Sequence, residues 1–250
     1  MADTVVLTAS AGTFPGLAEA LKEIPVAVEE RPLLSFGPPL DWTPVDAALD
    51  RISSYGSIAF TSRRAARAFT ARMQSRNVSR GGRTDPPVAW AVGPGTAAEL
   101  GEMLGSVRVP GRISNAGQSA GKILARTMIQ DGMRGSVLFP CGDLRRDELP
   151  NELRKGGVEV DEVVCYRSLL ADESQARRAA ARGTVLVVAS PSVVDLLARA
   201  CPRAPRPELL AVGPTTAASA RAAGWSPAAV AAEPTLNALS SAILGLLANR

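Results

Sequence analysis

The chain alternates short apolar runs with stretches in which apolar residues recur every three or four positions. The alternation is clearest in one segment of the sequence. An apolar run, Val137 to Phe139, ends at the turn-forming residues 140–143. A charged stretch follows, with Leu144 and Leu149 on one helical face, and a β-rich run from Val158 to Tyr166 closes the segment. This pattern predicts one βαβ unit with a glycine-bearing turn.

The same alternation extends along the rest of the chain. Because strands that alternate with helices form parallel sheets with right-handed crossovers, the pattern predicts parallel α/β structure. Ser114 or Asn115 is the expected start of one of the helices. Gly37-Pro38-Pro39 disfavours a central strand, so residues 33–39 are interpreted as a crossing between domains. The other predicted strands are Thr4–Leu7, Val26–Val28, Ile58–Phe60, Val88–Val92, Val107–Val109, Val185–Val188, Leu209–Val212 and Ala228–Ala232.

An internal repeat is visible at the ends of four of these strands. FTSRRA at Phe60 to Ala65 and AVGPGTAAEL at Ala91 to Leu100 correspond to VASPSV at Val188 to Val193 and AVGPTTAASA at Ala211 to Ala220. A repeat of this size predicts two similar α/β domains rather than one sheet.

Composition narrows the class of protein. The chain has 250 residues, of which 46% are hydrophobic, 21% charged and only 4% aromatic, so its core must be aliphatic, as in buried parallel strands. The net charge of +4 permits an anionic ligand. Basic residues do not cluster with aromatic residues, which gives no support for nucleic-acid binding. No apolar run approaches the length of a membrane span, and the first residues lack the basic segment of a signal peptide.

Cysteine and histidine usage restricts the chemistry. The three cysteines, Cys141, Cys165 and Cys201, show neither metal-ligand spacing nor a disulfide framework, which is typical of a reducing cytoplasm. The chain contains no histidine, so a serine–histidine triad and a histidine-bound metal are excluded. Chemistry must come from tyrosine, hydroxyl, carboxylate, arginine or backbone amide groups.

Six predicted strands end in small or hydroxyl-bearing residues and lead at once into helices. In open parallel sheets the ligand crevice lies at these carboxyl ends, and helix N-termini there favour anions. Each residue also has an ordinary structural interpretation as a helix N-cap, a turn glycine, a surface charge or a half-buried strand tyrosine. The turns match neither a Walker loop nor a dinucleotide fingerprint. The six ends are Thr8–Ser10, Thr61–Ser62, Gly93–Thr96, Cys141–Asp143, Ser190–Ser192 and Gly213–Thr216.

Taken together, these strand ends resemble the uroporphyrinogen-III synthase family. The resemblance also includes PLLSF at Pro32 to Phe36, CGDLRRDELP at Cys141 to Pro150 and VVCYRS at Val163 to Ser168. It implies two similar parallel-sheet α/β domains joined by a two-segment linker, with the active site in the interdomain cleft. Residues 1–34 and 169–250 would form one discontinuous domain, residues 38–164 would be inserted as the other, and the linkers would lie near 33–39 and 165–171.

The resemblance implies an activity as well. Members of the family close hydroxymethylbilane, a linear tetrapyrrole with eight carboxylates, into uroporphyrinogen III with inversion of ring D and loss of water. This reaction serves tetrapyrrole biosynthesis, leading to haem, sirohaem and cobalamin. It makes the chain a cyclising hydro-lyase that needs no metal and no cofactor. A cytoplasmic monomer, without nucleic-acid or membrane partners, is expected.

The resemblance also assigns roles residue by residue. Tyr166 matches the tyrosine thought to help the hydroxyl group leave, as a general acid or hydrogen-bond donor. At the first strand many members carry Thr-Arg, whereas this chain has Thr8-Ala9-Ser10. The residues expected to bind the substrate carboxylates are Thr61, Ser62, Arg64, Gly93, Thr96, Gly142, Arg146, Ser190, Gly213, Thr215 and Thr216.

Two other functions are compatible with the same sequence. One is a non-catalytic two-domain receptor for a small anion, since hinged α/β pairs commonly bind such ligands. The other is a regulator built on the synthase fold. The isomer formed from hydroxymethylbilane separates the synthase from both.

Overall fold

The computed structural model describes residues 3–22, 26–77, 87–111, 119–203 and 206–248, except for the side chains of residues 102 and 103. The chain divides into two compact units. Met1–Phe36 and Leu169–Arg250 form one, called here the discontinuous unit, and Gly37–Ser168 forms the other, the inserted unit. The expected helix start at Ser114 or Asn115 lies outside the described residues.

The described residues alternate strands with helices in the way that the apolar pattern predicts. A short 3₁₀ turn, Ile52–Ser54, precedes β4. The elements in chain order are β1 (Asp3–Leu7), α1 (Leu17–Ala20), β2 (Val26–Glu30), β3 (Leu34–Gly37), α2 (Thr43–Asp50), β4 (Ser57–Phe60), α3 (Arg63–Ser75), β5 (Val88–Ala91), α4 (Pro94–Ala98), α5 (Gly101–Leu104), β6 (Val107–Arg108), α6 (Ala120–Gln130), β7 (Val137–Gly142), α7 (Glu148–Lys155), β8 (Val160–Leu170), α8 (Glu173–Arg182), β9 (Val185–Val188), α9 (Pro191–Ala200), β10 (Glu208–Val212), α10 (Pro214–Ala222), β11 (Ala229–Ala231) and α11 (Leu236–Ala248).

The discontinuous unit is built on a parallel sheet with strand order β11-β10-β9-β1-β2. Successive strand residues point to opposite faces, so each strand supplies two cores. Val6 and Leu186 are buried in a cluster that includes residues of α8 and α9, whereas Val5 and Val187 belong to a cluster that includes Leu17 and Leu239. Burial on both faces explains why these strands read as continuous apolar runs.

A second sheet has the strand order β3-β8-β7-β4-β5-β6, and its strands from β8 to β6 belong to the inserted unit except for the last two residues of β8. The ladders from β8 to β6 are parallel. Its two faces are also buried: Ile58 and Phe60 pack in one cluster, and Ala59, Trp90 and Phe139 pack in the other. The strand β3 lies at the sheet edge beside β8, so the Gly-Pro-Pro sequence that ends it interrupts no central ladder.

The helix after β7 begins later than the leucine pattern predicts. Leu149 and Leu153 are buried on α7, but Leu144 precedes the helix and is 66% exposed. The carboxylate of Asp143 accepts a hydrogen bond from the Leu144 backbone N–H (2.9 Å), which favours a turn over a helix at this point. The prediction that Leu144 shares one helical face with Leu149 was therefore wrong.

None of the helices in the described residues is both long enough and apolar enough to span a lipid bilayer.

Candidate functional site

A cavity of about 360 Å³ lies within the inserted unit, where several strands end. Residues that follow β4 and β5, the end of β7, the start of α6 and the middle of β8 contribute to its wall. The lining residues are Thr61, Ser62, Val92, Ser119, Ala120, Gly121, Cys141, Gly142, Leu144, Arg145, Arg146, Glu148, Leu149 and Tyr166.

Strand order explains why the cavity forms there. The chain passes from β4 to β5 and β6 on one side of the sheet, and from β7 to β8 on the other side. The neighbouring strands β4 and β7 therefore form a topological switch point, where the following connections diverge and leave a crevice at the carboxyl ends. Thr61 and Ser62 follow β4 and Gly142 ends β7, so three predicted site residues meet at this crevice.

The turn after β4 presents a helix N-terminus to the cavity. Ser62 is the N-cap of α3, and its Oγ accepts a hydrogen bond from the Ala65 backbone N–H at 3.1 Å. This is the ordinary structural interpretation of Ser62. Thr61 and Ser62 nevertheless line the cavity. The positive end of a 13-residue helix makes this wall favourable for a carboxylate.

A β-bulge sets the position of Tyr166. Cys141 pairs with Val164, but the next residue, Gly142, pairs with Tyr166, so Cys165 is an extra residue on β8. A bulge changes which face the following side chains occupy. Cys165 is buried in the core cluster beside α3, and Tyr166 packs against that same cluster while its side chain also lines the cavity.

Arg64 lies over the face of the tyrosine. Its guanidinium carbon is 5.8 Å from the centroid of the Tyr166 ring, which is a cation–π geometry. Burial lowers the pKa of Arg64, but a guanidinium stays protonated in proteins. A positive charge therefore stands beside the phenol.

The two arginines after β7 have different partners. Arg145 donates to the carboxylate of Glu162 and lies 3.6 Å from Asp147, whereas Arg146 makes no ion pair within the part of the chain that the structure describes. Both line the cavity. The charge of Arg145 is thus largely compensated, and Arg146 supplies the uncompensated positive charge on this wall.

Cys141 lines the cavity but is chemically inert. It is 2% exposed, and burial raises the pKa of its thiol to about 12. Burial likewise raises the pKa of the Cys165 thiol. Neither sulfur is a thiolate nucleophile near neutral pH. Within the described residues, no group of three or more acidic or cysteine side chains could hold a metal ion.

Sequence reasoning missed several lining residues. Ser119 caps α6, accepting from the Lys122 backbone N–H at 3.4 Å, and Leu144 places an apolar side chain at the cavity. Glu148 adds a carboxylate. The serine before the apolar pattern of α6 was an available N-cap signal. The turn position of Leu144 had no comparable signal.

Gly93 and Thr96 lie beside the cavity wall rather than on it. They follow Val92, which lines the cavity, and neither is among the lining residues. Gly93 is the N-cap position of α4 in extended backbone, and Thr96 is 5% exposed within that helix. A direct contact between the Thr96 side chain and the substrate stays a prediction.

Four predicted residues belong to the discontinuous unit, at the carboxyl ends of β9 and β10. Ser190 occupies the N-cap position of α9, but its Oγ lies 2.7 Å from Ser192 Oγ instead of capping the helix. Thr215 is exposed and Thr216 is 3% exposed in α10, after Gly213. That these residues share a site with those of the inserted unit stays a prediction.

Fold and cavity together define a class: a two-unit parallel α/β protein with a switch-point cavity that carries a tyrosine and an uncompensated arginine. Comparison with known proteins makes this more specific. The family model described as uroporphyrinogen-III synthase HemD matches residues 16–241. The chain belongs to the uroporphyrinogen-III synthase family, which confirms the resemblance drawn from its strand ends.

Individual relatives agree with this assignment. The chain is 26% identical over 172 residues to a uroporphyrinogen-III synthase from Synechococcus elongatus, a match that covers 66% of this chain and 60% of that protein. Among solved structures, a mutant uroporphyrinogen III synthase from the extremely thermophilic bacterium Thermus thermophilus is similar with a TM-score of 0.65, 17% identity and 100% of both chains covered. The uroporphyrinogen-III synthetase from Helicobacter pylori gives 0.60 and 18%, with 98% of this chain and 99% of that one covered. These structures show the shared fold and confirm the parallel α/β class.

Proposed function

We propose that this chain is a uroporphyrinogen-III synthase, a lyase that cyclises hydroxymethylbilane with inversion of ring D and loss of water. The observation that carries the proposal is the family match over residues 16–241. The reaction would place the chain in tetrapyrrole biosynthesis as a cytoplasmic monomer. Proximity and proton donation account for the chemistry, so the proposal includes no metal and no cofactor.

The cavity suits one end of the substrate. Its volume of about 360 Å³ is near the lower end of small-molecule sites, ~300–1,000 Å³. It therefore fits one pyrrole with its carboxylate side chains rather than a whole linear tetrapyrrole. Val92 and Leu144 offer apolar contact to a ring, and Arg146 and the α3 N-terminus offer contact to carboxylates.

Tyr166 is the proposed proton donor. Departure of the terminal hydroxyl as water requires a proton, and the phenol O–H can donate to that oxygen at neutral pH. Inversion of ring D breaks the bond between its substituted α-carbon and the neighbouring methylene and re-forms that bond at its free α-carbon. The free α-carbon then releases a proton, so no proton is consumed overall. Thr61, Ser62, Arg64 and Arg146 would hold carboxylates in the inserted unit, and Ser190, Thr215 and Thr216 would do so in the discontinuous unit. Gly93 and Gly213 would allow close approach of the backbone to the substrate.

The test is the identity of the product. Hydroxymethylbilane is supplied with and without the protein, and the uroporphyrin isomers are resolved by chromatography after oxidation. We expect isomer III with the protein and isomer I without it, because the bilane also closes spontaneously without inversion. Isomer I alone in both reactions would overturn the proposal.

A further inference from the structure

Asp143, in the turn after β7, forms hydrogen bonds with the backbone of β8 on both sides of Arg167. The backbone N–H of Asp143 donates to the carbonyl of Tyr166 at 3.1 Å. Its Oδ1 accepts from the Ser168 backbone N–H at 2.9 Å and from Leu144 N–H at 2.9 Å. Asp143 is not among the residues that line the cavity.

These hydrogen bonds lie just beyond the end of the ladder between β7 and β8. The pairing of β7 with β8 extends only to Gly142 opposite Tyr166, directly after the bulge. Beyond that pair, β8 continues to Leu170 without a further residue of β7 opposite it. A carboxylate that accepts from a backbone N–H forms a charge-assisted hydrogen bond, which is stronger than a neutral one. Asp143 thus continues the hydrogen bonding to β8 as far as Ser168, and its side chain accepts the bond that a further strand residue would otherwise accept.

We infer that Asp143 is a positioning residue for the Tyr166 phenol, an inference that rests on the proposed function. Its backbone N–H holds the peptide that follows Tyr166, and its carboxylate holds the next peptide at Ser168. Together they fix the direction in which the Tyr166 side chain leaves the bulge. Asp143 acts through Tyr166 and touches no substrate. A displacement of about 1 Å at a reacting group is enough to lower turnover strongly.

The kinetic test compares Asp143→Ala with Asp143→Asn. Asparagine retains an Oδ1 that accepts both hydrogen bonds, and alanine does not. We expect Asp143→Ala to lower kcat by ~10-fold with KM changed less than twofold, and Asp143→Asn to restore most of the turnover. In a Tyr166→Phe background, Asp143→Ala should cause no further loss, because residues that act as a unit are not additive. An equal loss in both backgrounds would indicate general structural damage and would overturn the inference.

A second measurement does not depend on turnover. Since the chain has only two tyrosines, Tyr55 and Tyr166, 3-fluorotyrosine labelling gives two ¹⁹F signals that Tyr→Phe variants assign. Asp143→Ala should shift or broaden the Tyr166 signal and leave that of Tyr55 unchanged. Asp147→Ala is the matched control, because this exposed carboxylate of the same turn caps no helix amide. An unchanged Tyr166 signal in Asp143→Ala overturns the inference, whereas absence of isomer III from the wild type overturns only the proposed function.

Discussion

The ring of Tyr166 lies directly against the backbone of Gly142. A Cβ atom built at Gly142 would stand 2.5 Å from Tyr166 Cζ and 2.7 Å from the phenol oxygen. Real Cβ contacts do not occur at these distances, so a side chain at 142 and the observed position of the ring exclude each other. Gly142 was predicted to bind a substrate carboxylate. In the structure, the Tyr166 ring occupies the space beside the Gly142 backbone.

The substitution Gly142→Ala should therefore displace the phenol. We expect kcat to fall by ~10-fold or more, because a displaced donor no longer reaches the leaving oxygen. Turnover of hydroxymethylbilane to isomer III is the measurement. The matched control is Gly245→Ala, an exposed glycine of α11 where an added Cβ meets nothing within 4 Å. It should leave kcat unchanged, and helix propensity should raise its stability by ~0.5–1 kcal/mol. Full activity of Gly142→Ala would show that the ring position is not required.

Arg146→Gln should weaken substrate binding. Its charge has no ionic partner in the described regions of the chain, so it is available to a substrate carboxylate. We expect KM to rise by ~10-fold with little change in kcat, as for a contact made equally in the ground and transition states. The rise should diminish at high salt. Lys155→Gln removes the same charge from the exposed end of α7, away from the cavity lining, and should leave KM unchanged. Equal effects of the two variants would assign the change to net charge.

The paired glycines of the internal repeat should respond differently to alanine. Gly213 has φ 85° and ψ 155°, a conformation that is nearly exclusive to glycine, whereas Gly93 has φ −173° and ψ 172° in ordinary extended backbone. We expect Gly213→Ala to lower the free energy of unfolding by ~1–3 kcal/mol and Gly93→Ala to change it by less than ~0.5 kcal/mol. Urea unfolding followed by circular dichroism measures both. Similar losses in the two variants would contradict the assignment of strain to Gly213.

The difference between Gly93 and Gly213 could be predicted only in part from the sequence. The repeat AVGPxT correctly placed Gly93 and Gly213 after strands and before helices, because turn chemistry is local. It could not distinguish their backbone angles. Those angles depend on hydrogen bonds that the rest of each unit supplies, such as Gly213 N–H to the Ala231 carbonyl at 2.7 Å.

In the candidate site, too, some features could be predicted from the sequence and others could not. Thr61, Ser62 and Gly142 lie at predicted strand ends, Arg146 and Tyr166 were predicted from the family resemblance, and all five line one cavity. The extra residue Cys165 was not predictable, because a bulge has no local pattern in an apolar run. Leu144 was misplaced for a related reason, since the Asp143 side chain competes with the helix for its backbone N–H.

A hydrogen-bonded cluster at the start of β8 predicts a dependence of stability on pH. Burial acts to raise the pKa of Asp161, but hydrogen bonds from Tyr55 and Arg51 outweigh burial and the pKa is lowered. Because the folded value lies below that of the unfolded chain, ionised Asp161 stabilises the fold above about pH 4. This contribution is lost as the pH falls through the folded value.

Tyr55→Phe should therefore remove ~1.5–3 kcal/mol of stability at pH 7, and the difference from wild type should shrink below about pH 4. Urea unfolding at a series of pH values measures the difference, with Trp42 and Trp90 of the inserted unit as fluorescent probes in a Trp225→Phe background. Tyr166 is not among the groups that shift the pKa of Asp161, so Tyr166→Phe should show a difference that does not vary with pH. A constant difference for Tyr55→Phe would contradict the role of Asp161.

The extra residue in β8 makes the facing of its side chains depend on the length of the strand. Deleting one residue between Val160 and Cys165 would restore an even ladder that still ends at Gly142 opposite Tyr166, but it would turn the residues between the deletion and Tyr166 to the other face of the sheet. Insertions and deletions in this strand are thus a harsher class of change than substitutions. In any redesign of β8, keeping the number of residues is more important than keeping their identities.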